Sequence, residues 1–339
     1  MKQTPLPVRI AGAGAFLPGP RVSTDEVEAR IARASPGFRL RRGVLRSLTG
    51  IDSRHYLPDG MQASDLAVEA ARRALDCAGA TLSDVDLLIW GSASQDLVEP
   101  ATAHLVAAKL GLGCAVLDVK NACNSFLNAI QVAAALMVTG SARTALVVTG
   151  ESPSRAIRWQ VDSQEAFMQS AAGYTMGDAG AAVLLVRDEF GEGIRYQDFR
   201  AWSQHWPIAT LPGGGSMHPR GDEWTYFQGD GARLRDVFLS IGPGIFRDAL
   251  AATALRAEDF AAIFCHQVTL PFLEIFCRET GLPLERVAVT VTDLGNIASA
   301  TLPLQLAQAL QCGRVQRGDR ILLAGLAGGL SIGLMVASL

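Results

Sequence analysis

The sequence has few charged residues and no long apolar segment. Charged side chains make up 19% of the 339 residues and hydrophobic ones 49%, whereas an average soluble domain has roughly 25% charged residues. This composition indicates that internal layers or a second subunit cover much of the surface. No apolar run reaches the roughly 18 residues that a membrane-spanning helix needs. The formal net charge of −3 gives no reason to expect nucleic acid or an anionic membrane as a partner.

Several common binding motifs are also missing. The Gly12-Ala13-Gly14 turn lacks the third glycine of a dinucleotide-binding loop, and the chain has no Walker loop. There is no G-x-S-x-G elbow and no pair of metal ligands at zinc spacing. The apolar stretch Val8–Leu17 runs into Pro18 and is typical of a strand and turn rather than a secretory signal. We therefore expect no metal and no bound cofactor.

The six cysteines indicate a reducing compartment. Several lie inside apolar runs of a long chain, which is typical of free thiols rather than of a disulfide framework. We therefore expect a cytoplasmic protein.

The order of the predicted elements repeats once along the chain. In the first half, helix Ala63–Ala78 leads to strand Asp86–Trp90, and in the second, helix Val237–Leu255 leads to strand Phe260–Cys265. Further predicted segments follow the same order in each half: strand Asp118–Ala122, helix Asn124–Val138, strand Thr144–Thr149 and strand Gly177–Val186, then strand Val287–Val291, helix Ala298–Leu310, strand Arg320–Ala324 and strand Gly328–Leu339. We therefore predict two similar α/β halves, residues 1–188 and 189–339.

Cys123 lies between an apolar strand and a helix that is apolar almost all round. Such a helix must be buried, and we place Cys123 in its first turn. The helix N-terminal dipole there favours the thiolate, which is the better nucleophile. The alternative interpretation is a small cysteine that only fills core space.

Two polar residues stand at comparable points of the second half. His266 follows an apolar strand, and open α/β sheets bind ligands at the carboxyl ends of their strands. Asn296 precedes a predicted helix. Taken alone, His266 is equally well a core histidine and Asn296 a helix cap. If the halves superpose, both helix N-termini approach the centre, and Cys123, His266 and Asn296 form a set suited to acyl transfer.

These residues and the glycine motifs around them resemble the thiolase superfamily, specifically relatives of ketoacyl-ACP synthase III. The resemblance extends from Val8 to Leu339. It rests on the segments Asn121-Ala122-Cys123, Gly177-Asp178-Ala179-Gly180-Ala181, Cys265-His266-Gln267, Gly295-Asn296 and Gly325-Leu326-Ala327-Gly328-Gly329-Leu330. The family implies a five-layered αβαβα thiolase fold of two similar halves, a homodimer, and Cys123, His266 and Asn296 as the catalytic set.

The resemblance also implies a role for each residue. Cys123 would attack an acyl thioester of coenzyme A or of acyl carrier protein and become acylated. The backbone amides of Cys123 and of the Gly329 region would form the oxyanion hole. His266 and Asn296 would hold the thioester oxygen of the second substrate and stabilise its enolate.

Two departures from the synthase III pattern concern substrate binding. His266-Gln267 is followed by Val268-Thr269, where the family usually has Ala-Asn. The stretch Phe38–Gly43 contains no tryptophan, although synthase III carries one in this loop that stacks on the adenine of coenzyme A. Arg41 and Arg42 in this stretch are candidate contacts for a phosphate of coenzyme A or for an acidic carrier protein. A solvated basic turn is the alternative.

Glu99 is a third departure, and it concerns the chemistry. It lies where synthase III commonly has a phenylalanine that reaches into the partner's acyl tunnel. A carboxylate there is similar to thiolases that join two acyl chains head to head, those of bacterial olefin biosynthesis and the α-pyrone-forming ketosynthases. In these enzymes the glutamate crosses the dimer interface as a base, because an acyl chain with no carboxylate to lose must give up its α-proton. An ordinary loop glutamate is the alternative.

The leading hypothesis is an acyltransferase of the ketosynthase type. It joins the acyl group on Cys123 to a second acyl thioester by Claisen condensation, in lipid (fatty acid) or polyketide-type biosynthesis. The enzyme alternatives are decarboxylative condensation of acyl-coenzyme A with malonyl-carrier protein and acyl transfer to an oxygen or nitrogen nucleophile. An inactive subunit that only shapes a complex is disfavoured, because Cys123, His266 and Asn296 are all present.

Overall fold

The structure, a computed structural model, describes residues 5–188 and 193–339. The strands of the first part are β1 (Val8–Phe16), β2 (Arg21–Ser23), β3 (Ser53–His55), β4 (Leu87–Gly91), β5 (Ala115–Val119), β6 (Thr144–Glu151) and β7 (Ala179–Arg187). The helices of this part are α1 (Thr24–Ala34), α2 (Val44–Thr49), α3 (Ala63–Ala78), α4 (Thr102–Leu110), α5 (Ser125–Val138) and α6 (Gln164–Ser170).

The second part continues the same alternation. Its strands are β8 (Ile194–Ala201), β9 (Ala209–Thr210), β10 (Gln228–Gly229), β11 (Ala262–Cys265), β12 (Arg320–Ala327) and β13 (Ser331–Ser338). Its helices are α7 (Gly231–Thr253), α8 (Leu270–Thr280), α9 (Val291–Leu294) and α10 (Thr301–Gln311).

The two large sheets have matching topologies. The N-terminal sheet has the strand order β1-β7-β6-β4-β5 and the C-terminal sheet the order β8-β13-β12-β11. In both, the pairs at one end are parallel (β5 with β4 and β4 with β6 in the first sheet, β11 with β12 in the second), and the pairs toward the other end are antiparallel. The division at residues 188 and 189 stays a prediction, because residues 189–192 lie outside the described part of the chain.

Helices α5 and α10 lie between the two sheets. Their buried side chains, such as Phe126 and Leu306, share one core with Val147 of the N-terminal sheet and Leu323 of the C-terminal sheet. Helices α3 and α4 pack on the outer face of the first sheet and α7 and α8 on that of the second. This confirms the predicted αβαβα layering. Within residues 5–188 and 193–339, no helix is long and apolar enough to cross a membrane.

The predicted strand Val287–Val291 is wrong. The segment makes only an isolated bridge to Ile263, and its last residue begins α9. The buried side chain of Gln267 takes the place of a neighbouring strand. Its Nε2 donates to the Ala288 carbonyl at 2.6 Å, and its Oε1 accepts from two backbone amides at the end of the segment. The backbone groups are therefore satisfied without a sheet.

The predicted strand Asp118–Ala122 is displaced along the chain. The observed strand β5 ends at Val119 because Asn121 turns away, its backbone N–H donating to Ser125 Oγ at 2.8 Å. The carboxylate of Asp118 meanwhile accepts from the backbone amides that begin α4. The segment Trp202–Glu223 is irregular and contains only short 3-10 turns and β9.

Candidate active site

Cys123 lies in the turn between β5 and α5. The helix begins at Ser125 with Asn124 as its N-cap, so Cys123 precedes the helix instead of lying in its first turn as predicted. Ala122 has a φ of 46°, in the left-handed region that alanine rarely adopts. The Ser125 hydroxyl donates to the Ala122 carbonyl at 2.6 Å and holds this turn. This turn therefore places Cys123 directly before the N-terminal end of the buried helix α5.

The Cys123 thiol carries its proton at neutral pH. Burial, and then the negative charge of Glu151, raises the pKa of Cys123 to about 12. The helix dipole alone therefore does not produce the expected thiolate, because desolvation of the sulfur outweighs it. Attack by this sulfur needs a group that accepts the thiol proton.

His266 is a neutral imidazole that can serve as that acceptor. It follows β11 directly, is 3% exposed, and burial lowers its pKa to about 4. Its Nδ1 lies 3.3 Å from Thr301 Oγ1, and the Thr301 hydroxyl donates to the Ala298 carbonyl at 2.8 Å. Because the hydroxyl proton is engaged, Thr301 accepts from Nδ1–H, which leaves Nε2 of His266 unprotonated.

We expect the His266 ring to stay neutral well below the ordinary histidine pKa of 6.5. With a folded pKa of about 4, the unfolded chain binds this proton more readily. His266 therefore contributes stability above pH 6.5 that is lost as the pH falls toward 4. An NMR titration of the ring protons, assigned with His266→Gln, measures this pKa directly. A midpoint near the ordinary value would contradict it.

Asn296 is fixed through its backbone and its side chain. Its N–H donates to the Thr175 carbonyl at 2.7 Å, and its carbonyl accepts from the Gly177 N–H at 3.0 Å. A Cβ at Gly177 would lie 2.2 Å from the Leu294 carbonyl oxygen, so this close approach requires glycine. Asn296 Oδ1 accepts from the Ala298 N–H at 3.0 Å. The Nδ2 amide is therefore the group that Asn296 offers to a substrate.

The turn before α10 matches the turn before α5, which contains Cys123. Ala298 also has a φ of 46°, and like Ala122 it lies three residues before its helix. Ser299 thus occupies the position in the second half that Cys123 occupies in the first. Its Oγ is 2.9 Å from Thr149 Oγ1 at the end of β6. The two turns therefore meet at the carboxyl end of the N-terminal sheet.

The glycine-rich turn between β12 and β13 lies beside the Cys123 turn. Asn124 Nδ2 donates to Ser331 Oγ at 2.9 Å and to its carbonyl at 3.2 Å. A Cβ at Gly325 would lie 1.9 Å from Asn124 Oδ1, so this contact requires glycine. Gly329, with a φ of 117°, lies in this turn two residues before Ser331. Its position next to the Cys123 turn suits the expected oxyanion hole.

The unusual residues after His266-Gln267 have a structural role. Thr269 is the N-cap of α8, and its Oγ1 accepts from the Phe272 N–H at 3.3 Å. Threonine is a good N-cap residue. This departure from the family pattern therefore helps to begin α8.

Glu99, Arg41 and Arg42 lie on the surface of the single chain rather than with the buried residues. Glu99 is exposed on its loop beside Val98, whose side chain is 74% exposed. Arg41 and Arg42 are exposed before α2, and the Arg42 guanidinium is 3.8 Å from the Asp25 carboxylate. Their roles in base catalysis and thioester binding stay predictions.

Sequence reasoning missed Glu151, which the structure places close enough to Cys123 for its charge to act on the thiol. It is the last residue of β6, is fully buried, and its charge acts on Cys123. The available signal was a carboxylate directly after the apolar run Thr144–Gly150. A buried carboxylate is expensive, so a residue of this kind inside an apolar context has a specific task.

Comparison with known families assigns the chain. The family described as 3-oxoacyl-[acyl-carrier-protein (ACP)] synthase III matches residues 117–202, and its C-terminal part matches residues 250–339. The β-ketoacyl-[acyl-carrier-protein] synthase III of Xanthomonas campestris pv. campestris is 35% identical over 332 residues and that of Xanthomonas oryzae pv. oryzae 35% over 337. Each match covers 96% of both chains.

The fold matches solved structures of Xanthomonas campestris OleA. A Cys-to-Ala variant of OleA superposes with a TM-score of 0.89 at 26% identity, covering 99% of this chain and 98% of that one. A Cys-to-Ser variant with bound lauric acid and lauroyl-CoA has a TM-score of 0.87 at 27% identity and covers both chains fully. The chain therefore belongs to the 3-oxoacyl-[acyl-carrier-protein] synthase III family of the thiolase superfamily, and it is a condensing acyltransferase similar to the head-to-head acyl-condensing subgroup.

Proposed function

We propose that this enzyme joins two acyl thioesters by a non-decarboxylative Claisen condensation, with Cys123 as nucleophile and Glu99 as base. The observation that carries the proposal is a carboxylate, Glu99, on an exposed loop of a chain that superposes on OleA. Solved OleA variants replace a cysteine, a histidine and a glutamate, and one holds lauroyl-CoA. Cys123, His266 and Glu99 are residues of the same three types.

The first half-reaction loads the acyl group. As Cys123 Sγ attacks the thioester carbonyl, His266 Nε2 takes the thiol proton. The backbone amides of Cys123 and Gly329 donate to the oxyanion of the tetrahedral intermediate. Collapse of the intermediate expels the thiol of coenzyme A or of the carrier protein, which leaves with the proton held by His266. The neutral state of His266 supports this role as acceptor.

The second half-reaction forms the carbon–carbon bond. Asn296 Nδ2 donates to the carbonyl oxygen of the second thioester, and Glu99 removes its α-proton. The resulting enolate attacks the carbonyl of the acylated Cys123 and expels the sulfur. The proton that Glu99 removed is the one that the departing thiolate needs, so the cycle closes. The product is a 3-ketoacyl thioester.

We expect Asn296→Ala and His266→Ala to separate the two half-reactions. Loss of the Asn296 donor should slow condensation by roughly 100- to 1,000-fold while loading continues. His266→Ala should impair loading as well, because a thiol with a pKa of about 12 then keeps its proton. Intact-protein mass spectrometry measures loading, and product mass spectrometry measures condensation. Normal loading by His266→Ala would show that another group accepts the proton.

We also propose that the protein acts as a homodimer. Strand β5 is the edge of its sheet, and such an edge can pair with a second chain. At the end of α5, Val138 is 42% exposed, and on the Glu99 loop Leu97 is 48% exposed. An interface over these apolar residues would carry the Glu99 loop toward the partner's site.

The six free thiols support a place in the reducing cytoplasm.

The second candidate function is conventional decarboxylative condensation with a malonyl thioester. It is favoured by the curated relatives, which are named β-ketoacyl-[acyl-carrier-protein] synthase III at 35% identity. Incubation with an acyl-CoA alone distinguishes the two functions, because only the first needs no malonyl-carrier protein. A 3-ketoacyl product from acyl-CoA alone supports our proposal, and a strict requirement for malonyl-carrier protein would overturn it.

Replacing Arg41 and Arg42 by alanine tests their proposed contact with the thioester substrate. Loss of that contact should raise the KM for the thioester.

A further inference from the structure

The buried carboxylate of Glu151 joins two segments that the proposed mechanism uses. Its Oε1 accepts from the Ala93 N–H at 2.8 Å, and its Oε2 accepts from the Ser94 hydroxyl at 2.8 Å and the Ser94 N–H at 3.2 Å. Oε1 also accepts from the N–H of Ser299 at 3.3 Å and from its hydroxyl. Ser94 belongs to the loop that carries Glu99, and Ser299 to the turn that follows Asn296.

We propose that Glu151 is a positioning residue that sets both the Asn296 turn of its own subunit and the Glu99 loop that serves the partner's site. The inference rests on the proposed function, in which Glu99 acts across the dimer. Each Glu151 then supports one component in each of the two active sites. Replacing Glu151 should therefore affect the condensation step, because Asn296 and Glu99 both take part in that step.

A carboxylate suits this task because both of its oxygens accept. The donors around Glu151 are three backbone amides and two hydroxyls, arranged on two sides of the group. A glutamine would present an NH₂ group to one side and leave those donors without an acceptor. An aspartate is one methylene shorter and cannot span both sides. The pair of connections therefore depends on the charged, full-length side chain.

Two further carboxylates hold the Glu99 loop, which makes Glu151 one of three carboxylate anchors in the described part of the chain. Asp96 accepts from the Ser64 N–H at 3.1 Å and from its hydroxyl at 2.5 Å. Asp118 accepts from the Thr102 and Ala103 amides where the loop enters α4. Glu151 differs from the other two anchors because it alone of the three also bonds the Asn296 turn. Removal of the Glu151 carboxylate should therefore affect catalysis through the Asn296 turn as well as through the order of the Glu99 loop.

The first experiment compares Glu151→Gln with Glu165→Gln, which makes the same change at an exposed position of helix α6. We expect Glu151→Gln to slow condensation about 100-fold, the effect of a displacement near 1 Å, while acyl loading on Cys123 changes much less. Glu165→Gln should match the wild type in both. Ser94→Ala and Ser299→Ala each remove one hydroxyl donor to Glu151, keep the backbone amide bonds, and should each slow condensation by less than Glu151→Gln. Wild-type condensation by the double variant Ser94→Ala/Ser299→Ala would overturn the proposal, even if Glu151→Gln fails to fold.

A second experiment tests the two-site role with heterodimers purified through two different tags. One subunit carries Cys123→Ala, so only the other subunit's thiol works. Adding Glu151→Gln to the subunit with the working thiol disturbs its Asn296 turn. Adding it to the subunit with Cys123→Ala disturbs only the Glu99 loop offered to the working site. Both arrangements should be slower than the heterodimer with intact Glu151, and full activity of the second would overturn the role across the interface.

A third readout separates positioning from general damage. Glu151→Gln removes the negative charge that helps to raise the pKa of the Cys123 thiol. Alkylation of Cys123 by iodoacetamide at a fixed, mildly alkaline pH should therefore become faster while condensation becomes slower. Ser94→Ala keeps the charge and should leave alkylation unchanged. Slower alkylation of Glu151→Gln would indicate a damaged site and would contradict the proposal.

If Glu99→Gln proves fully active, the assignment of Glu99 as base fails. The heterodimer with Glu151→Gln in the subunit that has the working thiol still tests the connection to the Asn296 turn.

Discussion

Cys123→Ala is expected to lose acyl loading and condensation together, with a fall in turnover on the order of a millionfold. The reason is that no covalent intermediate can form without the sulfur. Two other thiols are poor substitutes, because Cys265 and Cys277 are both buried inside the core of the second sheet and its outer helices, whereas Cys123 is only partly buried. Intact-protein mass spectrometry with an acyl-CoA should show one adduct on the wild type and none on the variant.

A matched control is Cys312→Ala, since Cys312 is exposed on the surface. That variant should load and condense like the wild type. An adduct that persists in Cys123→Ala and maps to Cys265 or Cys277 would place the nucleophile elsewhere. Peptide mapping of the adduct distinguishes these outcomes from chemical acylation of an exposed thiol.

Glu99→Gln is expected to stop condensation of two simple acyl thioesters while loading on Cys123 continues. The amide keeps the shape of the side chain and removes its basicity, and general base catalysis typically contributes roughly 100- to 10,000-fold. The measurement is the rate of 3-ketoacyl product formation from acyl-CoA alone, beside the rate of adduct formation. Full activity of the variant would show that Glu99 is an ordinary loop residue.

Mixed dimers test whether Glu99 works in the partner's site. A heterodimer of Glu99→Gln and Cys123→Ala subunits contains one site with both the thiol and the partner's carboxylate. That heterodimer should recover about half of the wild-type activity, since each dimer has two sites and one is complete. If it stays inactive while both parents fold and dimerise, Glu99 does not act across the interface.

The elements with strong local patterns were predictable. Helix Ala63–Ala78 has its predicted bounds, because an amphipathic repeat over four turns is a local property. The predicted strand Val287–Val291 failed for a reason that lies elsewhere in the chain, since the side chain of Gln267 satisfies its backbone. The αβαβα fold followed from the resemblance, and the superposition on OleA confirms it.

The residue types and their order were enough to assign the family and to single out Cys123, His266 and Asn296, because motifs are local in the sequence. Only the tertiary structure determined the state of these groups. Burial keeps the Cys123 thiol protonated and His266 neutral, and desolvation depends on what packs around a group. The role of Glu151 was equally out of reach, since it meets Ser299 across 148 positions of the chain. No motif or repeat in the sequence pairs Glu151 with Ser299.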